Sequence, residues 1–323
     1  FMMGGAFGYR IPPAGWRPEG WTPPASKSTM ITTKHVHLRD AHKTKQFWLI
    51  WAVLCLNVSA GIGVIGMASP MLQEIFAGSL IGLPDVAFAQ LDAGQKAQIA
   101  AIAAGFTGLL SLFNIGGRFV WASLSDKLGR KNTYYTFFIL GIILYATAPT
   151  LANLGNKGLF VLAFGIILSM YGGGFATIPA YLADIFGTQF VGAIHGRLLT
   201  AWATAGIVGP VVVNYIREAQ IAAGVAPGPA LYTGTMYILA GMLVLGLIAN
   251  SLVRPLADKW FMSDEEVASL QAKTAAANAG PTGSFGIGKG GFSAQAALAW
   301  AVVGIPMIWG IWVTLKSSLV LFG

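Results

Sequence analysis

Seven stretches of this chain run for about twenty residues with almost no charge, and they constrain the fold more than any motif does. They are Phe47–Pro70, Ala97–Gly117, Asn132–Ala152, Gly158–Ala183, Leu198–Ile216, Leu231–Val253 and Ala294–Leu315. A helix needs about 20 apolar residues to cross about 30 Å of hydrocarbon. Inside a bilayer only helices and closed barrels satisfy their own backbone polar groups. Runs of this length predict an all-α, polytopic membrane protein. Composition agrees, since 10% of the 323 residues are charged, against about 25% in soluble domains. The 42 glycines suit helices that pack closely in lipid.

The net charge of +8 follows from topology and implies no nucleic-acid partner. With successive loops assigned to alternate sides, sixteen Lys and Arg fall on one side. Lys96, Lys157, Arg217 and Lys316 fall on the other. Basic loops stay inside. The N-terminal segment and the Asp126–Lys131 loop are therefore expected in the cytoplasm, around a prokaryotic inner membrane.

Four regions follow. Residues 1–46 are a Pro-rich and basic connector; 47–255 hold six spans; 256–291 hold a short helix and a Gly-rich linker; 292–323 add a further span, kinked at Pro306. "IPPAGWRPEGWTPPA" has the composition of a stiff connector, the other reading being a polyproline ligand. "FMMGGAFGYR" begins like the end of a helix already under way, so a preceding segment is expected. His35, His37 and His42 lack the ligands of a tetrahedral metal set and read as a solvated basic collar. Ser263 and Glu266 have capping-box spacing. "GIGKGG" lacks the Ser/Thr and the preceding strand of a phosphate loop, and "YGGGF" lies inside a span. No cofactor is implied. Cys55 is the sole cysteine.

"GGRFVWASLSDKLGRKN" holds five charges between two apolar runs. A helix rises about 1.5 Å per residue, so Arg118 lies about two turns inside the membrane if Asp126 marks its surface. Thr107, Ser111, Asn114 and Arg118 share one helical face. A mid-membrane arginine costs at least about 2.5 kcal/mol. One reading is a cation lining an aqueous cavity; the other is an arginine that snorkels or pairs with the loop. The spans hold no Asp or Glu in their interiors, Glu74 and Asp184 lying at span ends. On the first reading the missing anion is the substrate, most simply a carboxylate.

"SDKLGRK" resembles the cytoplasmic loop motif of the major facilitator superfamily, with Ala122 where that family has a leading Gly. The resemblance implies that Asp126 pairs with a neighbouring helix, that Gly129 makes the turn, and that Lys127, Arg130 and Lys131 belong to the inner gate. The stretches "TKQFWLIWAVLCLNVSAGIGVIGMASPMLQEIF", "FNIGGRFVWASLSDKLGRK", "GGGFATIPAYLADIFG" and "GRLLTAWATAGIVGP" resemble the C-terminal half of the oxalate:formate antiporter family. That likeness makes spans one to six the second six-helix bundle of a twelve-helix carrier, whose N-terminal half is a missing partner. It makes Arg118 the substrate-binding arginine. Oxalate carriers have a second cation, a lysine, where this chain has Trp202. One cation suits a monocarboxylate such as formate, lactate or pyruvate, with Trp202 against the organic side or, alternatively, in helix packing. Tyr171 is either a hydroxyl donor to substrate or a packing residue. The last span resembles a small single-helix subunit of that family.

The function expected is a secondary carrier of small carboxylates working by alternating access. The alternative is a non-transporting sensor or scaffold on the same fold. An enzyme is disfavoured, because the spans offer no Ser/His/Asp set, carboxylate pair or metal cluster.

Overall fold

A computed structural model describes residue 20, residues 30–278 and residues 294–322. The Pro-rich stretch and the Gly-rich linker therefore lie outside the described residues. The chain folds as α1 (Leu38–Ala41), α2 (Lys45–Phe76), α3 (Ala93–Leu128), α4 (Arg130–Asn153), α5 (Lys157–Phe186), α6 (Val191–Leu198), α7 (Thr200–Ala222), α8 (Pro229–Leu252), α9 (Asp264–Asn278) and α10 (Ala294–Ser318). Among the described residues, six helical segments are long and apolar enough to cross a membrane; the fifth combines α6 and α7. The chain is a multi-pass membrane protein.

Most spans outrun their apolar cores. Pro70 sits inside α2, which continues to Phe76 and carries Glu74 into the protein interior. α3 runs through the charged "SDKL" to Leu128. Pro149, Pro179 and Pro210 are likewise held within helices, as neighbouring helices permit in a membrane.

Glycines set the tightest crossing, between α3 and α5. A Cβ on Gly117 would lie 2.0 Å from the Ser169 carbonyl oxygen, and one on Gly172 would lie 2.1 Å from that of Asn114. Gly173 abuts Trp121, and Gly174 abuts the Asn57 amide of α2. The glycine triplet is a three-way packing point, where one side chain would push two helices apart. Tyr134 Oη donates to the Gly174 carbonyl at 2.7 Å and Trp121 Nε1 to Ser169 Oγ at 3.1 Å.

The segments flanking the bundle are tied together at one end. Val36 N donates to Phe186 O at 2.9 Å and Met262 N to His35 O at 2.8 Å, while Lys34 pairs with Asp258 at 2.5 Å. The three histidines do separate work there. His37 Nδ1 accepts from Arg39 N at 3.1 Å, and His42 Nδ1 meets Arg197 Nη1 at 3.0 Å. His35 lies against Gly187. Ser263 and Glu266 exchange reciprocal 3.2 Å bonds at the start of α9. α10 leans on α3, with Ser318 Oγ donating to the Gly105 carbonyl at 3.0 Å and Thr314 against Gly108.

Candidate functional site

The polar face of α3 is built from local bonds. Thr107 and Ser111 return their hydroxyls to carbonyls one turn back, both at 3.1 Å. One turn beyond, Arg118 Nε donates to Asn114 Oδ1 at 3.3 Å. Arg118 folds back along its own helix in this way. Its guanidinium carbon also lies 5.8 Å from the centroid of the Phe175 ring on α5, within range of a cation–π contact. Phe175 meets Trp202 of α7 edge to face, with centroids 5.5 Å apart. The Tyr171 ring packs against Gly61 of α2. Arg118, Asn114 and Trp202 thus belong, through Phe175, to one cluster contributed by α3, α5 and α7, and no well-formed hydrogen bond or ring stacking joins Tyr171 to it among the described residues.

Phe175 closes that cluster, and the sequence reading passed over it. The signal was present in "YGGGF", since Tyr171 and Phe175 are four residues apart and share a helical face. The close α3–α5 crossing at Gly172 brings that face beside Arg118.

Arg118 makes no ion pair among the described residues. Its Nε is directed to Asn114, and the Nη fork has the geometry to take a carboxylate in bidentate fashion. Large apolar residues on two of the helices that build the cluster are bare. Ile115, Phe119 and Val120 on α3 are exposed, as are Ile207, Val211 and Tyr215 on α7.

The loop charges are spent elsewhere. Gly129, at φ +85°, turns the chain between α3 and α4, a conformation that glycine adopts without steric cost. Arg130 is 7% exposed. Its Nη1 donates to Ser125 Oγ at 2.7 Å, its Nη2 pairs with Asp126, and its Nε lies 3.9 Å from Asp184 Oδ2 on α5. Lys131 Nζ donates to the Val253 carbonyl at 2.6 Å, at the end of α8, suiting a cation beside exposed carbonyls. Lys127 is exposed. Asp126 is committed to Arg130, which leaves no loop carboxylate paired with Arg118.

A second polar cluster lies toward the other end of the bundle and had no local signal. Glu74 of α2 is buried, pairs with Arg217 of α7 and accepts from Tyr232 Oη of α8 at 2.6 Å. Arg217 Nε also donates to Tyr232 Oη at 3.2 Å. Glu74 lies in the last turn of α2, at a span end as expected, and is buried there.

Comparison with known proteins decides the family. The Major Facilitator Superfamily profile matches residues 1–210, well over half the chain. The chain belongs to the Major Facilitator Superfamily. Among characterised members, it is 30% identical over 185 residues to the oxalate:formate antiporter of Oxalobacter formigenes, covering 57% of this chain and 39% of that protein. It is 33% identical over 92 residues to a glucose transporter of Staphylococcus epidermidis, covering 28% of this chain and 20% of that protein. An uncharacterized MFS-type transporter of Escherichia coli is 22% identical over 180 residues, covering 56% of this chain and 39% of that protein. The chain spans less than two fifths of the length of each of these relatives.

Proposed function

We propose that this chain is the C-terminal half of a secondary carrier that exchanges or cotransports small carboxylates, monocarboxylates in particular, by alternating access. The observation that carries this reading is Arg118, a cation within an apolar span, without a carboxylate partner among the described residues and ringed by Asn114, Phe175 and Trp202. Binding an anion there offsets an otherwise uncompensated charge. Asn114 orients the guanidinium, the Nη fork takes the carboxylate, and the Trp202 and Phe175 rings face the organic part.

A single guanidinium neutralises one carboxylate. Where the resemblance puts a lysine in oxalate carriers, Trp202 presents an aromatic ring, which favours a substrate with one charged and one apolar end. Formate, lactate and pyruvate meet that description better than oxalate does. The apolar faces of α3 and α7 flanking Arg118 suit a partnering six-helix half, which would supply the rest of the site. In this reading the Asp126–Lys131 loop is cytoplasmic and forms the inner gate with Gly129 and Arg130. The membrane is a prokaryotic inner membrane, and α10 is a seventh span packed against α3.

The test is counterflow of labelled formate, lactate, pyruvate and oxalate in liposomes holding the intact gene product. Monocarboxylate exchange well above oxalate exchange is expected. Oxalate exchanged as fast as the others removes the selectivity proposal, and no exchange of any of the four removes the carboxylate assignment.

A further inference from the structure

α1 is four residues long, and a helix this short keeps its place only through contacts made by its side chains and ends. Two histidines supply them. His37 caps the start, where its Nδ1 accepts from Arg39 N at 3.1 Å. His42, just past the end, presents its Nδ1 to Arg197 Nη1 of α6 at 3.0 Å. The same Nη1 donates to the Leu38 carbonyl at 2.7 Å. The His37 ring also meets Phe190, at the entry to α6, with centroids 5.0 Å apart. α1 is thereby clasped to α6.

The partners dictate the protonation state of both rings. A backbone N–H and a guanidinium N–H can only donate, so each Nδ1 must be an unprotonated acceptor. A proton on either one sets N–H against N–H. At His42 it also sets an imidazolium beside a guanidinium. Neighbouring charge does not offset this. Arg39, Lys43 and Lys45 are further cations on α1, its exit and the first turn of α2. Asp40, the one carboxylate on α1, is engaged with Lys43 at 2.8 Å and Arg39 at 3.4 Å. From α6 the other titratable group is His195. Before α1, Lys34 is taken up by Asp258 and His35 lies against Gly187.

The clasp is connected to the helix that carries Trp202. Thr200 Oγ1, at the start of α7, donates to the Arg197 carbonyl at 2.9 Å and accepts from Trp51 Nε1 of α2, also at 2.9 Å. Trp202 follows two residues later. We infer that α1 and α6 form a proton-sensitive clasp, closed while His37 and His42 are neutral and released when they take up protons. Release frees α6 and loosens the first turn of α7. On the carrier reading above, this end of the bundle is cytoplasmic, and internal acid would alter how Trp202 is presented; the clasp itself does not rest on that reading.

Imidazole ordinarily gains its proton at about pH 6.5, so the test brackets that value. Hydrogen–deuterium exchange of the purified intact protein is read by mass spectrometry at pH 7.5 and 5.5, corrected for the intrinsic pH dependence of amide exchange. The parent is expected to exchange residues 191–199 at least tenfold faster at pH 5.5. His37→Asn/His42→Asn keeps an acceptor at both places without titrating, Asn being a good helix cap, and is expected to stay protected at both pH values. Arg197→Met removes the donor and is expected to exchange fast at both. Equal rates in the parent at the two pH values overturn the inference. So does a double variant that follows the parent, or an Arg197→Met variant as protected as the parent at pH 7.5. None of these readouts depends on carboxylate transport, so failure of the carrier assignment leaves them unchanged.

Discussion

Two arginines of this bundle sit in apolar helices and are handled in opposite ways. Arg217 has a buried carboxylate and a phenol supplied by two other helices. Arg118 has an amide one turn back on its own helix and the face of a phenyl ring. A charge in low dielectric needs a counter-charge or several good hydrogen bonds. The first is therefore a closed structural unit that joins α2, α7 and α8. The second is left to be completed by something that comes and goes. An arginine alone does not mark a site; the distinguishing property is what the protein withholds from it.

That contrast breaks most visibly at Glu74. Glu74→Leu leaves Arg217 without its carboxylate, and losing one partner of a buried pair costs about 3–5 kcal/mol. Because Arg217 is 23% exposed, the lower end is expected. Thermal unfolding in detergent reads it as a large drop in midpoint, whereas Arg118→Gln leaves the midpoint nearly unchanged. An equal fall for both would erase the distinction.

Next in size is the crossing that brings α5 to Arg118. Gly172→Ala forces a methyl group to 2.1 Å from the Asn114 carbonyl oxygen, and overpacking of this kind costs about 1–3 kcal/mol. Melting measurements check the stability loss, and labelled-carboxylate binding checks the accompanying loss of affinity, since Asn114 and Phe175 separate. Gly116→Ala, with open space at its Cβ, is the matched control and changes neither.

A smaller effect is expected from the ring itself. An exposed cation–π contact is worth about 0.5–1 kcal/mol, so Phe175→Leu is predicted to weaken monocarboxylate binding a few-fold in equilibrium titration without moving the melting midpoint. Unchanged affinity would leave Phe175 a packing residue.

The smallest effect belongs to the charges outside the bundle. Lys34, hydrogen-bonded to the exposed Asp258, holds that carboxyl below its ordinary range. A depressed carboxylate stabilises the fold above its unfolded pKa and loses that contribution as pH falls through its folded value. Asp258→Asn should therefore differ slightly from the parent in melting at pH 7, and the difference should begin to shrink only below about pH 4 and vanish once the depressed folded value is passed. A difference that grows in acid contradicts the pairing.

How far the sequence foretold this arrangement depended on the range of each interaction. The helices were legible because an apolar run of membrane length has few alternatives. The polar face of α3 was legible because i, i+4 geometry is local, and the Asn114–Arg118 bond follows it directly. The ends of the spans were harder to read. α2 passes through Pro70 and α3 through Asp126, because packed neighbours support a helix where hydropathy alone would end it. Glu74, Arg217 and Tyr232 meet across 143 and 158 residues of sequence, and no local pattern encodes that meeting. Phe175 lies between these cases: its spacing from Tyr171 was visible, but its proximity to Arg118 required the depth of the Gly172 crossing.

The most direct measurement is equilibrium binding of labelled pyruvate and formate to the intact, folded protein and to its Arg118→Gln variant. At least a hundredfold loss of affinity is expected in the variant, with an unchanged melting midpoint. Saturable binding retained at parental affinity in folded Arg118→Gln would show that Arg118 is not the cation that receives the carboxylate.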